Sequence, residues 1–314
     1  MTQSSAAQNI AKSLQLAVIL EVSIQKPGNV GFEASFEETR VEHFLASAVA
    51  IGPTLEEAAF RGIRVQEKKL GIGEVGLGEL IKACAKEVAL WQRGGNTILG
   101  TIMLIVPLAV AAGMTYRKEE TLNLTMLRRN LKETIASTNA CDSVYLYEAV
   151  NIANPSGLGK APDLDVTNPN SKKRLLEENV SLLEVFRLAQ DYDDICYEWV
   201  NNYDITFDLA YPYLKGQLDN KPLKVAVLNT FLKILATRPD TFIVRKVSKK
   251  KAIEASTRAK RILDMGSVET PEGEKELALF DKELRSSGNK CNPGTTADLT
   301  AASLALATLS GYRP

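Results

Sequence analysis

The chain has 314 residues, and its 38 Lys plus Arg are balanced by 38 Asp plus Glu, so it is formally neutral with a single histidine. Neutrality gives no electrostatic reason to expect nucleic acid or an anionic membrane as partner. A composition of 45% hydrophobic and 24% charged residues is that of a globular protein, not of a disordered or fibrous one. Cys84, Cys141, Cys196 and Cys291 form no CxxC pair, which argues against a zinc site or a redox dithiol and fits a reducing cytoplasm.

Helical periodicity begins at once. Residues 4–22 carry Ile10, Leu14, Ala17 and Val18 on one face, with Glu21 continuing that face as an unexpected carboxylate. No basic segment leads into an apolar one here, so no signal peptide is expected. Helices follow over 41–51, 55–65 and 79–93, the last stopped by Gly94-Gly95. Residues 102–114 are almost wholly apolar but contain Pro107 and Gly113 and are too short to span a bilayer; they read as a buried helix. Further helices are expected over 122–135 and 143–152, then a Pro-, Gly- and Asn-rich loop over 153–171. Helical pattern resumes over 172–200, 204–214, 223–237, 249–265, 272–285 and 296–309. The segment TFIVRKV at 241–247 is the best strand candidate. The expected class is all-α, in a single multi-helix globular domain.

The chemistry-bearing residues gather at the joints. Four segments, EVSIQKPGNVGFEASF, RGGNTILG, TRPDT and SGNKCNPGTTADLTAAS, set Gly or Pro beside Asn, Thr, Asp or Lys just outside an apolar helix. Glycine admits close backbone approach to a ligand. A helix N-terminus presents free N–H groups and partial positive charge to phosphate, and aspartate can bridge to a metal or take a proton. Each joint also has a purely structural reading. Asn96 or Thr97 would cap the next helix, Thr295 with Asp298 three residues on has the form of a capping box, and KPGN is a plain turn. The lone His43 reads as a packing or surface residue, and Cys291 as a buried small side chain. The run at 245–251 reads as a solvated basic face. Tyr203 and Phe207 read as core, the alternative being a stack on a nucleobase.

Taken in order, these joints resemble the triphosphoribosyl-dephospho-CoA synthase family, the ATP:dephospho-CoA triphosphoribosyltransferases. The resemblance rests on Glu21 ahead of KPGNV at 26–30, GGNT at 94–97, CDSVYLYEAV at 141–150, PDT at 239–241 and NPGTTADLTAAS at 292–303. It covers almost the whole chain, and the KPG and PGxxADL parts are its specific elements. It departs where the family's NT is followed by His-Lys-Gly and this chain has Ile98-Leu99-Gly100. It departs again after Asp240-Thr241, where a basic residue and two glycines are absent. The central Arg-Gly-Glu is replaced by GLGKAPD, with Lys160 the nearest cation.

The resemblance implies an all-helical transferase. It would move the 5-triphosphoribosyl group of ATP to the 2′-hydroxyl of 3′-dephospho-CoA and release adenine, with Mg²⁺ on the nucleotide. Glu21, Asp142, Asp240 and Asp298 become the catalytic candidates, the three aspartates also the metal candidates. Lys26, Gly28, Asn29, Gly95, Asn96, Thr97, Thr241, Arg245, Lys246, Asn292, Gly294 and Thr295 become the nucleotide-binding candidates. Expected partners are ATP and dephospho-CoA or a related acceptor, with no nucleic acid or membrane; homodimer formation is left open. Ribosyl transfer to another acceptor, or a nucleotide-binding helical protein without catalysis, stand as alternatives.

Overall fold

The structure is a computed structural model, and it describes residues 3–116, 122–156, 158, 161 and 163–314. Its centre is the apolar helix expected at 102–114. Helix α5 (Leu99–Thr115) is buried along almost its whole length, and α1 (Gln3–Ser23), α3 (Gly52–Gln66), α4 (Leu77–Trp91), α6 (Leu124–Ala136) and α16 (Gly294–Leu309) pack around it. Helices α3 and α5 approach each other closely. A Cβ at Gly62 would lie 2.0 Å from the Val110 carbonyl oxygen, and one at Gly113 would lie 2.1 Å from that of Ala59. The two glycines therefore let these backbones meet directly.

Pro107 has no N–H, so the Met103 carbonyl four residues back loses its helical partner. Trp199 Nε1 donates to that oxygen at 2.9 Å, and the Tyr203 hydroxyl donates to the neighbouring Leu104 carbonyl at 3.0 Å. A helix-breaking residue is thus absorbed inside the central helix. Tyr203 is a core residue, as read from the sequence. Phe207 lies under the Arg128 guanidinium.

Around this core run α2 (Val41–Ala50), α7 (Ala140–Ala153), α8 (Pro169–Glu177), α9 (Leu182–Ala189) and α10 (Asp194–Val200), then a π-helical turn (Ile205–Ala210) and α11 (Tyr211–Leu218). A second core cluster is built by α12 (Leu223–Thr237), α13 (Thr241–Lys246), α14 (Lys249–Asp264) and α15 (Pro271–Arg285), with Cys291 buried in it. Among the described residues there is no strand, and no helix is long and apolar enough to cross a membrane.

The all-α class expected from the sequence is observed. Two local expectations are corrected. TFIVRKV is not a strand, because Asp240 caps it as a helix by accepting from the Phe242 and Ile243 N–H groups at 2.9 and 3.0 Å. The expected helix over 172–200 is three helices, divided by the Ser181 and Asp193 caps, whose side chains accept from the next turn's N–H groups. Lys160 lies outside the described residues.

Candidate functional site

The N-terminal ends of α5 and α16 and the KPGN turn meet at the edge of the core, and a cavity of about 430 Å³ opens between them. Pockets of a few hundred Å³ are the size that holds a small-molecule ligand.

The KPGN turn is held from two sides. Gly28 has φ +70°, a left-handed conformation that favours glycine. A Cβ there would also lie 2.7 Å from Leu284 of α15. The Gly28 N–H donates to Asp281 Oδ1 at 2.7 Å, and Arg285 donates to the Asn29 carbonyl. So clamped, Asn29 turns its side chain to the cavity. Its Oδ1 accepts from the Val30 N–H at 2.7 Å, while its buried Nδ2 finds no partner among the described residues.

The Gly-Gly loop is fastened just as firmly. Gln92 accepts from the Gly94 N–H and donates to the Gly95 carbonyl at 2.7 Å. Thr39 donates to the Gly94 carbonyl at 3.1 Å. The Asn96 side chain accepts from the Leu99 N–H at 3.2 Å, and Thr97 shares a 2.8 Å hydroxyl contact with Ser47. Gly95, Asn96 and Thr97 all line the cavity. His43 caps α2, accepting from the Arg40 N–H, and packs against Gly94. This agrees with its reading as a packing residue.

Asp298 sits at the meeting point of α5 and α16. Helix α16 has Pro293 at its N-cap with no side-chain cap, so the Thr295–Asp298 capping box read from the sequence is not formed. The Asp298 carboxylate crosses instead to α5, where the Thr101 hydroxyl donates to it. Gly100 supplies the room, since a Cβ there would lie 2.1 Å from Asp298 Oδ2. Burial pushes the Asp298 carboxyl up to about 8; the Thr101 hydrogen bond opposes that shift, and Glu21 and Asp240 reinforce it by charge repulsion. Gly100→Ala is expected to cost about 1–3 kcal/mol of stability through overpacking. An unchanged melting temperature would mean the carboxylate has room to move.

Glu21 also lines the cavity, with its acidity weakened by burial and partly restored by Lys26. Lys26 is fully buried. Its ammonium donates to the Glu21 and Ile24 carbonyls, the latter at 2.7 Å, and lies 3.0 Å from Glu21 Oε1. Two of the ammonium's three protons go to carbonyls, its charge faces the Glu21 carboxylate, and Lys26 is not in the cavity wall. The expectation that Lys26 contacts phosphate is therefore corrected: it anchors Glu21.

Asp240 is another correction. One oxygen caps α13 and the other accepts from the N–H and hydroxyl of Thr296, both at 2.8 Å. It lies behind the wall, tying α13 to α16, and burial raises its pKa against those hydrogen bonds. Asp142 is elsewhere. It completes the Asn139 capping box and accepts from the Gly78 N–H at 2.8 Å, joining α7 to α4. The three aspartates expected to share a metal do not converge, and among the described residues no group of three or more His, Cys, Asp or Glu could hold one.

Arg245, Asn292, Gly294 and Thr295 line the cavity; Thr241 stands behind Thr295, donating to it at 3.2 Å. Arg245 enters from α13 and is held by Asp193 at 2.6 Å. Asn292 leaves a buried Oδ1 unpaired among the described residues. Lys246 is not in the wall; its ammonium lies over the Phe242 ring, 4.3 Å from the centroid, and Phe242 is in the wall. Sequence reasoning missed Thr39, Gly100, Thr101, Phe242 and Asp193. Gly100 closes the RGGNTILG segment and Thr101 follows it, so both were within reach. Nothing local marks the others, because their roles are contacts across the chain.

Two results compare this arrangement with known proteins. A family model described as ATP:dephospho-CoA triphosphoribosyl transferase matches residues 7–314. Among solved structures, a crystal structure from Archaeoglobus fulgidus, provisionally described as a triphosphoribosyl-dephospho-CoA synthase, superposes with a TM-score of 0.64 at 24% identity. The match covers 87% of this chain and 100% of that one, and it shows a shared fold. A search of the curated proteins gives no match.

Proposed function

The chain belongs to the ATP:dephospho-CoA triphosphoribosyl transferase family, and from that membership we propose how its cavity performs the transfer. The reaction substitutes at the anomeric carbon of the ATP ribose. The bond from C1′ to adenine N9 breaks, a bond to the acceptor 2′-oxygen forms, and the hydroxyl proton ends, in net terms, on adenine.

Such a reaction needs a proton acceptor at the hydroxyl, negative charge near the developing oxocarbenium ion, and a hold on the triphosphate. Asp298 takes the first role. A carboxylate whose pKa is raised to about 8 is a far better base than an exposed one. The same raised proton affinity makes it a poor metal ligand, which must be ionised. Glu21, kept next to Lys26 at 3.0 Å, supplies the negative charge.

The nucleotide lies against Asn29, the Gly95–Asn96–Thr97 loop, Asn292 and the α16 N-terminus, with Arg245 on phosphate. The unpartnered Asn29 Nδ2 and Asn292 Oδ1 are the donor and acceptor that such a ligand would satisfy. Mg²⁺ would arrive on the triphosphate and neutralise its charge. Glu21, its acidity weakened by burial and its carboxylate already paired with Lys26 at 3.0 Å, does not fit as its protein ligand, so the triphosphate would hold it. Calorimetric titration with ATP is expected to give much tighter binding with Mg²⁺ than in EDTA; equal affinities would remove the metal.

The observation that carries the reading is the convergence of Glu21, Asn29, Asn96 and Asp298, distant in sequence, on one cavity of a protein in this family. The test is incubation with ATP, Mg²⁺ and dephospho-CoA. Free adenine and a triphosphoribosylated acceptor are expected in equal amounts. Absence of both with correctly folded protein would overturn the reading.

A further inference from the structure

The cavity extends beyond the polar wall, and there its lining changes. Leu146 and Val150 of α7, Leu164, and Val185, Phe186 and Leu188 of α9 form an apolar arm. Leu146 and Val150 are four residues apart, and Val185 and Leu188 three apart, so each pair shares one helix face. Leu146, Leu164 and Phe186 are buried, while Leu188 is 46% exposed at the rim.

Two polar side chains of this arm already have partners. The Tyr147 hydroxyl donates to the Leu164 carbonyl, and Asp163 accepts from the Leu164 N–H and from Arg174. The Phe186 ring stands edge-on to Trp199, with centroids 4.6 Å apart, committed to the core instead of offering a stacking face. Its aliphatic wall suits the methylene and methyl groups of a flexible chain, and Tyr192 and Asn154 of the same cavity bring a hydroxyl and an amide for polar groups along such a chain.

We infer that the apolar arm holds the pantetheine chain of the acceptor, and so decides which nucleotide offers its 2′-hydroxyl to Asp298. The inference rests on the transfer reading above. Donor and acceptor are both adenosine 5′-phosphates with a free 2′-hydroxyl, so the polar wall by itself cannot tell them apart. Only the acceptor carries a long tail, with gem-dimethyl and methylene segments between its amides. Seating that tail in the arm keeps ATP from serving as its own acceptor, and uses binding energy remote from C1′ to orient the attacking oxygen.

The test compares dephospho-CoA with ADP, which keeps the adenosine and diphosphate and lacks pantetheine. With wild-type protein, kcat/KM for dephospho-CoA should exceed that for ADP by about 100-fold or more. Leu188→Glu, at an exposed position where folding should tolerate it, should cut that preference at least about tenfold. Leu176→Glu, also at an exposed leucine but outside the cavity, should keep it. Equal use of the two acceptors by the wild type, or a preference unchanged in Leu188→Glu, overturns the inference. If no acceptor yields adenine, the transfer reading has failed separately. Calorimetry on the same proteins then decides: tighter binding of dephospho-CoA than ADP, lost in Leu188→Glu, supports the arm, and equal binding overturns it.

Discussion

Asp298→Asn is expected to lower adenine release by about two to four orders of magnitude and, at alkaline pH, to raise the melting temperature. The substitution keeps the size of the side chain and the oxygen that accepts from Thr101. It removes only the negative charge. Folding raises this carboxyl from its ordinary 3.8 to about 8. Below pH 4 both folded and unfolded chains hold the proton and the group costs nothing. Between those limits the folded chain binds a proton that the unfolded chain releases, so stability falls as pH rises and levels off above pH 8. The neutral amide carries no such penalty. The variant should gain on the wild type between pH 5 and pH 9, by roughly 2–4 °C for each kcal/mol recovered. Glu21 and Asp240, also raised by burial, act in the same direction in both proteins. For the wild-type enzyme, kcat/KM should climb with pH to a plateau, with an apparent pKa near 8. A flat profile, or an asparagine variant that turns over normally, would take Asp298 out of the proton transfer.

Asp240→Ala should have the largest effect on stability. Three backbone N–H groups and the Thr296 hydroxyl would lose their acceptor together, inside the protein. Each stranded buried donor costs about 1–3 kcal/mol. Allowing for relaxation and water entry, a loss of about 3–5 kcal/mol is expected, against a total stability of roughly 5–15 kcal/mol for a folded domain. Urea unfolding measures it, and Thr296→Val should lose less because only the hydroxyl bond goes. A loss below about 1 kcal/mol for Asp240→Ala would mean that α13 and α16 do not depend on this carboxylate. Because Asp240 reaches no ligand, transfer by the surviving folded fraction should be reduced only through the displacement of Arg245 and Thr295.

Sequence periodicity and joint chemistry were enough for the helical class, for the buried helix opened by GGNT, and for the residues whose side chains protrude at helix ends: Glu21, Asn29, Asn96, Thr97, Asn292 and Asp298. These are local properties. An apolar face repeats every few residues, and Gly or Pro beside Asn or Asp breaks a helix wherever the chain runs next. What a carboxylate or ammonium does there is not local. Asp142, Asp240 and Asp298 look alike in sequence, each at or near the start of a helix. Tertiary packing makes the first a cap shared with Gly78, the second a tie between α13 and α16, and the third a buried acid against Gly100. Lys26 likewise looks like a phosphate ligand until burial turns its ammonium to two backbone carbonyls and the Glu21 carboxylate. The apolar arm was invisible for the same reason. Leu146 and Leu188 sit on helices with nothing local to mark them, and only the way α7 and α9 come together leaves apolar side chains of both lining the cavity. Desolvation and hydrogen-bond partnership are set by neighbours distant in the chain, and they decide which of several similar residues becomes chemistry and which becomes scaffold.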